Sequence, residues 1–519
     1  MEQVYIYDTT LRDGTQMEGI ALSLEDKIKI TKKLDEFGVH YIEGGWPGSN
    51  PKDVEYFERV QSLDLKNAKV AAFGSTRRKN IKAADDAQIK LLINSKAPVI
   101  TMYGKSSIMQ AETVLQTTPD ENLNMIADSV EYCVSQGREV IYDAEHFFDG
   151  YKADPEYALA TIQAAAMAGA SMIVLCETNG GGLPWEVERI TKEVIEKMGD
   201  TPVGIHTHDD SGCGVANSLA AVRAGATQVQ GTINGYGERV ANANLCSVIP
   251  DIQLKMGKRC VSDEQLPKLT ELSRFVSEVA NLDHNSQYPF VGANAFTHKG
   301  GTHVAAMLRN PAAYQHIDPV LVGNERRSVV SELSGRGNLR ELMATFGLSL
   351  SNEKLAGVLE EIKVLENQGF SFEAAEASVE LMMRRTAPGY VPPFEVKDLT
   401  VIQLLRKNGK FSAEATVKVR VGHKTMHMAA SGNGPVNAID KALRKAVVDV
   451  YPQIKSVKLA DYKVRILDGD NATAATTRVL IDSKKGNTSW STVGASPNIT
   501  QASWRALADS LEYAIIHFG

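Results

Sequence analysis

Eight short runs rich in β-branched and aromatic residues alternate with longer stretches of helical period between residue 4 and about residue 255, and this alternation restricts the fold more than any other feature. The runs are Val4–Tyr7, Tyr41–Gly44, Val70–Phe73, Val99–Met102, Glu139–Tyr142, Met172–Cys176, Val203–His206 and Gln228–Ile233. Parallel strands must be joined by a crossover, usually a helix, so repeated βα units predict a parallel sheet. Eight such units predict a closed TIM (β/α)8 barrel. The helix starts agree. Ser23 with Asp26 in the following turn, and Asp154 followed by Pro155, are N-terminal signals that open the stretches Ser23–Phe37 and Asp154–Ala168.

A chain of 519 residues is too long for one core. The alternation stops near residue 255, so residues 1–260 are assigned to the barrel. Residues 261–395 keep a helical period, broken at Gly292, Gly300-Gly301 and Pro311, and form a linker with subdomains that ends at Pro388-Gly-Tyr-Val-Pro-Pro393. Residues 396–519 change style again. Thr416-Val-Lys-Val-Arg-Val421 alternates with period two, as do parts of Lys463–Ile466 and Arg478–Ile481, predicting an antiparallel sheet with one wet face in an α+β domain. Gly432-Asn-Gly-Pro and Gly494-Ala-Ser-Pro each lead into a helix, which implies two similar β-rich halves.

The bulk chemistry excludes several classes. With 43% hydrophobic and 23% charged residues the chain is of globular type, and its net charge of -7 offers no field for a polyanion, so no nucleic-acid partner is expected. No apolar run is long enough to span a bilayer, and no membrane partner is expected. The first residues enter a strand at once, without the pattern of a signal peptide. The five cysteines show no CxxC spacing, so neither a disulfide framework nor a thiolate zinc site is suggested. A cytoplasmic location is expected.

In a βα barrel the working residues sit at the C-terminal ends of the strands. Polar clusters fall there five times: Asp8-Thr-Thr-Leu-Arg12-Asp13-Gly14, Glu43, Asp143-Ala-Glu145-His146, His206-Thr-His208-Asp209, and Asn234-Gly-Tyr-Gly-Glu238-Arg239 with Asn242 beyond. His206 and His208, one residue apart on a strand, face the same side. Alone, such a pair is more often hydrogen-bonded than metal-bound, but Asp13 and Asn242 can complete a mixed N/O set for Mn²⁺, Mg²⁺ or Zn²⁺. Arg12 is placed to stabilise an oxygen that gains charge when a ketone is attacked; the competing assignment is a salt bridge to Glu43 that closes the barrel mouth. Glu145 is a candidate general base, and Glu43 a partner of Arg12 rather than a catalyst. Asn179-Gly-Gly-Gly-Leu-Pro and Gly235-Tyr-Gly-Glu lack nucleotide-loop spacing and are read as tight top-face loops, with amides available to a substrate. Leu381-Met382-Met383 is read as core.

Asp8-Thr-Thr-Leu-Arg12-Asp13-Gly, His206-Thr-His208-Asp-Asp and Gly235-Tyr-Gly-Glu-Arg-Val-Ala-Asn242-Ala, in that order at strand ends, resemble the DRE-TIM metallolyase superfamily and its α-isopropylmalate/homocitrate synthase family. Phe296-Thr-His298-Lys-Gly-Gly-Thr-His303 resembles the subdomain motif of those synthases, and the C-terminal domain resembles their LeuA-type allosteric and dimerisation domain. Three further stretches, Glu43–Asp53, Phe73–Arg78 and Tyr142–Tyr151, resemble the long-form branch of the family that uses pyruvate.

The resemblance implies an acyltransferase that condenses acetyl-CoA with pyruvate and then hydrolyses the thioester, on a route to isoleucine. It implies a divalent metal ion held by Asp13, His206 and His208, with Asn242 at the fourth position. It places Arg12 on the keto group, Glu145 on the acetyl group and Thr178 on the 2-oxo acid carboxylate, although Cys176-Glu177-Thr178-Asn179 departs from the commoner Asp-Thr pairing. His303 and Tyr314 match residues that reach acetyl-CoA from the other subunit of a homodimer, and isoleucine is the expected effector. The rival readings are a synthase that takes 2-oxoisovalerate, a lyase of the 3-hydroxy-3-methylglutaryl-CoA type, and a non-catalytic amino-acid-binding regulatory protein. For the C-terminal domain the alternative is a dimerisation module without a sensing role.

Overall fold

The computed structural model describes residues 2–328, 336–405, 407, 409–467, 474–486 and 488–519. Eight parallel strands, β1 (Tyr5–Asp8), β2 (Tyr41–Gly45), β3 (Lys69–Ser75), β4 (Val99–Lys105), β5 (Glu139–Glu145), β6 (Met172–Glu177), β7 (Val203–Thr207) and β8 (Gln228–Gly231), close into a barrel. Closure runs through β8 and β1, with Tyr5 opposite Gln228 and Asp8 opposite Gly231. The predicted α/β barrel is therefore present. Strands β3, β4 and β5 continue two or three residues past their apolar runs, to Ser75, Lys105 and Glu145. Strand β8 stops two residues earlier than its apolar run. Beyond Gly231 the chain turns tightly, with Asn234 at φ 67°. The carbonyl of Ala243 lies 2.5 Å from the position a Cβ on Gly231 would take, a crowding only glycine tolerates.

The helices start where their caps direct. Ser23 and Asp26 form a reciprocal capping box at the head of Leu24–Phe37, and Gly38, at φ 94°, ends that helix in the left-handed conformation. The Asp154 side chain accepts from Tyr157 N at the head of Pro155–Met167. Inside the barrel, Tyr7, Ala71, Val99, Ile141, Met172, Val174 and Cys176 form a buried cluster whose top, at Cys176, reaches the cleft. Side-chain alternation then places Glu43, Thr101, Asp143, His206 and Gln230 toward the C-terminal ends, so the floor of the site is a packed core.

The chain forms two compact units, Met1–Phe296 with Asp318–Glu325, and Thr297–Ile317 with Arg326–Gly519. In the second, β9 (Thr297–His298) and β10 (Arg327–Ser328) pair briefly in parallel. The helices Arg336–Thr345, Asn352–Asn367 and Glu376–Thr386 share a core that includes Leu339, Val358, Ile362, Val379, Met382 and Met383, so the Leu381-Met382-Met383 run is buried as its period suggests. Two similar halves follow: β11 (Glu395–Leu405), β12 (Phe411–Val421) and β13 (Lys424–Gly432) with helix Pro435–Val447, then β14 (Lys458–Ile466), β15 (Thr477–Lys485) and β16 (Thr488–Ser496) with helix Ile499–Phe518. Each half has an irregularity near the start of its first strand, at Val396/Asp398 and at Leu459/Asp461. Alternate residues Ala413, Ala415, Val417 and Val419 pack on Ile439, Leu443, Leu507 and Leu511 in one core. Among the described residues no helix is long and apolar enough to cross a membrane.

Candidate active site

At the end of β1 the chain turns so that Arg12 and Asp13 enter the barrel mouth. Arg12 Nε donates to Glu43 Oε2 at 2.6 Å and Nη1 to Asp13 Oδ2 at 3.0 Å, while the guanidinium lies 3.8 Å from the Phe73 ring centroid. Glu43, fully buried on β2, also accepts from Tyr7 Oη at 2.7 Å and from the Thr9 hydroxyl. Thr101 lies 2.6 Å from Tyr7 Oη; because Tyr7 donates to Glu43, the threonine supplies the proton of that bond. Burial opposes the charge on Arg12, but Glu43 and Asp13 outweigh it and hold the guanidinium cationic. The salt bridge to Glu43 thus exists, and it aims Arg12 into the cleft.

Asp13, His206 and His208 converge, with one ligand atom of each lying within 4.8 Å of the others. His206 Nε2 is 3.3 Å from His208 Nε2 and 3.8 Å from Asp13 Oδ2. Ligands on one ion at about 2.1 Å stand at most about 4.2 Å apart, so both separations fit a shared cation. Gln230 on β8 settles the tautomer. Its Nε2 donates to Asp143 Oδ1 at 2.9 Å, so its Oε1 faces His206 Nδ1 at 3.0 Å as an acceptor. The proton then sits on Nδ1, and the Nε2 lone pair faces His208 Nε2 at 3.3 Å, able to accept a proton from that ring or to bind a cation lying between the two.

The charge states agree with such a role. Burial pushes His206 below its ordinary value and His208 down to about 4. Burial disfavours the Asp13 carboxylate, yet the charge of Arg12 and the two histidines brings its pKa to about 2. Asn242 Nδ2 donates to Asp13 Oδ1 at 2.9 Å, and Asn242 Oδ1 is buried with no hydrogen-bond partner among the described residues, a neutral oxygen available to the same ion. The donor set therefore fits a divalent cation that accepts mixed nitrogen and oxygen ligands.

The cleft around this group, about 190 Å³, has two chemically distinct sides. Asp13, Asp143, Glu145, Thr178, His206 and His208 make one polar side with Glu238 and Arg239, and Trp46, Phe73 and Tyr103 make an aromatic side. Glu145 is ion-paired with Lys105, its register partner on β4. Thr178 Oγ1 accepts from His146 N at 2.8 Å, and Arg239, at φ 58°, ties the carbonyl of Thr178 (2.7 Å) to the Asp210 carboxylate. Burial first, and then the Glu43 charge, raise Asp143 well above the usual carboxylate range.

Arg12, Asp13, Glu145, Thr178, His206 and His208 thus meet in one cleft, and Asn242 touches it through Asp13. His303 and Tyr314 lie in the second unit, their rings stacked at 4.2 Å with His298 nearby. The loop after β6 differs from expectation: Gly181 N donates to Glu177 Oε1 at 3.2 Å, so this amide is committed to its own loop. On β4, Tyr103 lines the cleft, whereas Met102 is buried on the other face of the strand. Sequence reasoning missed Gln230, Lys105 and Trp46, and it placed Asp143 at a strand end without giving it a role. Register was the signal for Gln230, which pairs with His206 across β7 and β8.

A closed parallel barrel carrying this constellation defines a class, and comparison with known proteins identifies it. Residues 3–276 match the HMGL-like family model, residues 290–369 the homocitrate synthase post-HMGL domain-like model, and residues 373–515 the LeuA allosteric (dimerisation) domain. The chain is 51% identical to the (R)-citramalate synthase of Aquifex aeolicus, over 99% of this chain and 98% of that one, and 52% identical to that of Geobacter sulfurreducens over the same shares. Identity falls to 32% with a probable 2-isopropylmalate synthase of Methanopyrus kandleri, over 97% of both chains. The chain belongs to the HMGL-like family and, within it, to the group of the (R)-citramalate synthases.

Proposed function

We propose that this protein condenses acetyl-CoA with pyruvate and hydrolyses the resulting thioester, releasing (R)-citramalate and CoA. The observation that carries the reading is the full-length identity of about half to (R)-citramalate synthases, in a chain whose strand ends bring Arg12, Asp13, His206 and His208 together. Asp13, His206, His208 and Asn242 would hold a divalent cation, which when bound would supply Lewis-acid polarisation of the keto group. Arg12, fixed by Glu43, donates to the keto oxygen as it gains charge. Thr178 donates its hydroxyl proton to the 2-oxo acid carboxylate, since its oxygen already accepts from His146 N. Glu145 removes a methyl proton from the acetyl group, the carbon so exposed attacks the keto carbon of pyruvate, and the π pair of the keto group moves to its oxygen, which takes up a proton to become the product hydroxyl. Water then cleaves the thioester, leaving CoA as a thiol.

His303 and Tyr314 are assigned to acetyl-CoA in a homodimer, isoleucine to the C-terminal domain as effector, and the activity to isoleucine synthesis in the cytoplasm. The LeuA-type domain supports the dimer and the allosteric role. The test is CoA release, read with a thiol reagent, across pyruvate, 2-oxobutyrate and 2-oxoisovalerate, with and without Mn²⁺, Mg²⁺ or Zn²⁺ and isoleucine. Preference for pyruvate is expected. Preference for 2-oxoisovalerate assigns the chain to 2-isopropylmalate synthesis instead, and absence of thiol release in every combination leaves the lyase and the regulatory readings.

A further inference from the structure

Arg12, Gln16 and Trp46 each line two cavities. One is the candidate cleft, about 190 Å³; the other, about 330 Å³, adjoins it and is walled by Ile20, Leu22, Ser49 and Asn50 among others. The three shared side chains are therefore the partition between the two spaces. Arg12 is committed to Glu43 and Asp13, which leaves the indole of Trp46 as the largest part of that partition free of the proposed chemistry.

Trp46 is held from three directions. Its main-chain N donates to Asp53 Oδ2 at 2.9 Å, its Nε1 donates to Gln88 Oε1 at 3.2 Å, and its ring stands edge-on to both Phe73 and Tyr103, with centroids 5.8 Å away in each case. The anchor is itself anchored. Asp53 is buried and ion-paired with the buried Lys27, whose Nζ also donates to Gly44 O at 2.9 Å. Gly45, at φ 145°, lets the chain pass the Asp53 carboxyl, which lies 2.4 Å from where a Cβ would stand. A buried ion pair contributes little net stability, and its best-attested use is to fix one arrangement. Here the arrangement it fixes is the turn that presents Trp46.

The placement bears on substrate choice. A 2-oxo acid whose keto oxygen and carboxylate meet Arg12, Thr178 and the Asp13–His206–His208 group turns its remaining substituent toward the aromatic side of the cleft. We propose that Trp46 is a specificity-determining residue: it ends the cleft at the size of a methyl substituent and keeps longer or branched 2-oxo acids from extending into the adjoining cavity. The proposal rests on the condensing activity put forward above and names the residue that sets its substrate.

The experiment compares the full-length chain with Trp46→Ala and Trp46→Phe, measuring kcat/KM for CoA release with pyruvate, 2-oxobutyrate and 2-oxoisovalerate at saturating acetyl-CoA and Mn²⁺. For Trp46→Ala, the ratio of 2-oxoisovalerate to pyruvate is expected to rise at least tenfold, the scale on which a hydrophobic pocket distinguishes a methylene or two. For Trp46→Phe, a smaller rise is expected, largest for 2-oxobutyrate. Ratios unchanged within twofold in a variant that melts like the parent overturn the role of Trp46. If Trp46→Ala does not fold, the 2-oxobutyrate ratio of Trp46→Phe decides alone. A parent that releases no CoA from any of the three acids removes the activity itself, and the proposal with it, whereas an active parent with unmoved ratios in the variants counts against Trp46 only.

Discussion

Asn242 donates from Nδ2 to Oδ1 of Asp13 at 2.9 Å, across 229 positions of sequence, and its own Oδ1 is left buried without a partner among the described residues. The bond orients the carboxylate so that Oδ2 faces His206, and the orphaned amide oxygen can reach the same cation. Asn242→Ala removes both contributions. Divalent-metal affinity is expected to fall about 10–100-fold, measured by competition with a chelating fluorescent indicator, while the melting temperature of the metal-free protein changes little. An affinity equal to that of the parent rules out both roles.

Arg12 and Glu43 make separable predictions. Replacing Arg12 by Lys keeps the charge but loses the planar fork that serves Glu43 and Asp13 together, so kcat/KM with pyruvate should fall about 10²–10³-fold. Glu43→Ala leaves a buried cation, a tyrosine and a threonine without their shared acceptor, and should cost stability, about 3–5 kcal/mol. Chemical unfolding followed by tryptophan fluorescence checks the second. A stable Glu43→Ala protein would mean that the pocket relaxes or fills with water.

The fold and most of the candidate site were legible because a barrel places its chemistry at strand ends, and polar residues there interrupt apolar runs visibly. Asp13, Glu145 and His206 are of that kind. The same interruptions concealed the ladder itself: Lys105 and Glu145 read as loop, although β4 and β5 remain paired through both. Gln230 was hidden for the opposite reason. It lies inside an apolar strand, and its role depends on facing His206 from the neighbouring strand, a relation of register that pattern along one strand does not contain. Trp46 reads as one large apolar residue in a turn; its position between two cavities is a property of the assembled mouth.

His40, at the N-terminal end of β2, couples the barrel to pH. Ile6 N donates to His40 Nδ1 at 3.0 Å, so that nitrogen must keep its lone pair, and burial lowers the ring's pKa from 6.5 to about 4. As pH falls, the unfolded chain takes up this proton first. The contribution is complete above about pH 6.5 and is lost progressively down to about pH 4, amounting to about 2–3 kcal/mol after allowance for partial exposure. His40→Asn retains an acceptor without the titration. Its melting temperature should therefore drop less than that of the parent between pH 7.5 and pH 5, with chelator present so that metal release does not contribute. Parallel pH profiles for the two proteins would show that His40 is not the group responsible.

Thr178 yields the most directional prediction. Its Oγ1 accepts from His146 N at 2.8 Å, and His146 is held at φ 58°, so the acceptor side of the hydroxyl is engaged and its proton is left to donate toward the cleft. A carboxylate is the natural recipient, because a hydrogen bond to a charged group contributes about 1.5–3 kcal/mol against about 1 kcal/mol for a neutral one. Thr178→Val keeps the shape but removes both the proton and the acceptor of His146 N. KM for pyruvate should rise about 10–100-fold with kcat changed far less, since the carboxylate is bound in the ground and transition states alike. Thr178→Ser, which keeps the donor but frees its rotation, should recover most of the loss. A Thr178→Val enzyme with unchanged KM would place the carboxylate elsewhere in the polar half, with Arg239 as the next cation to test.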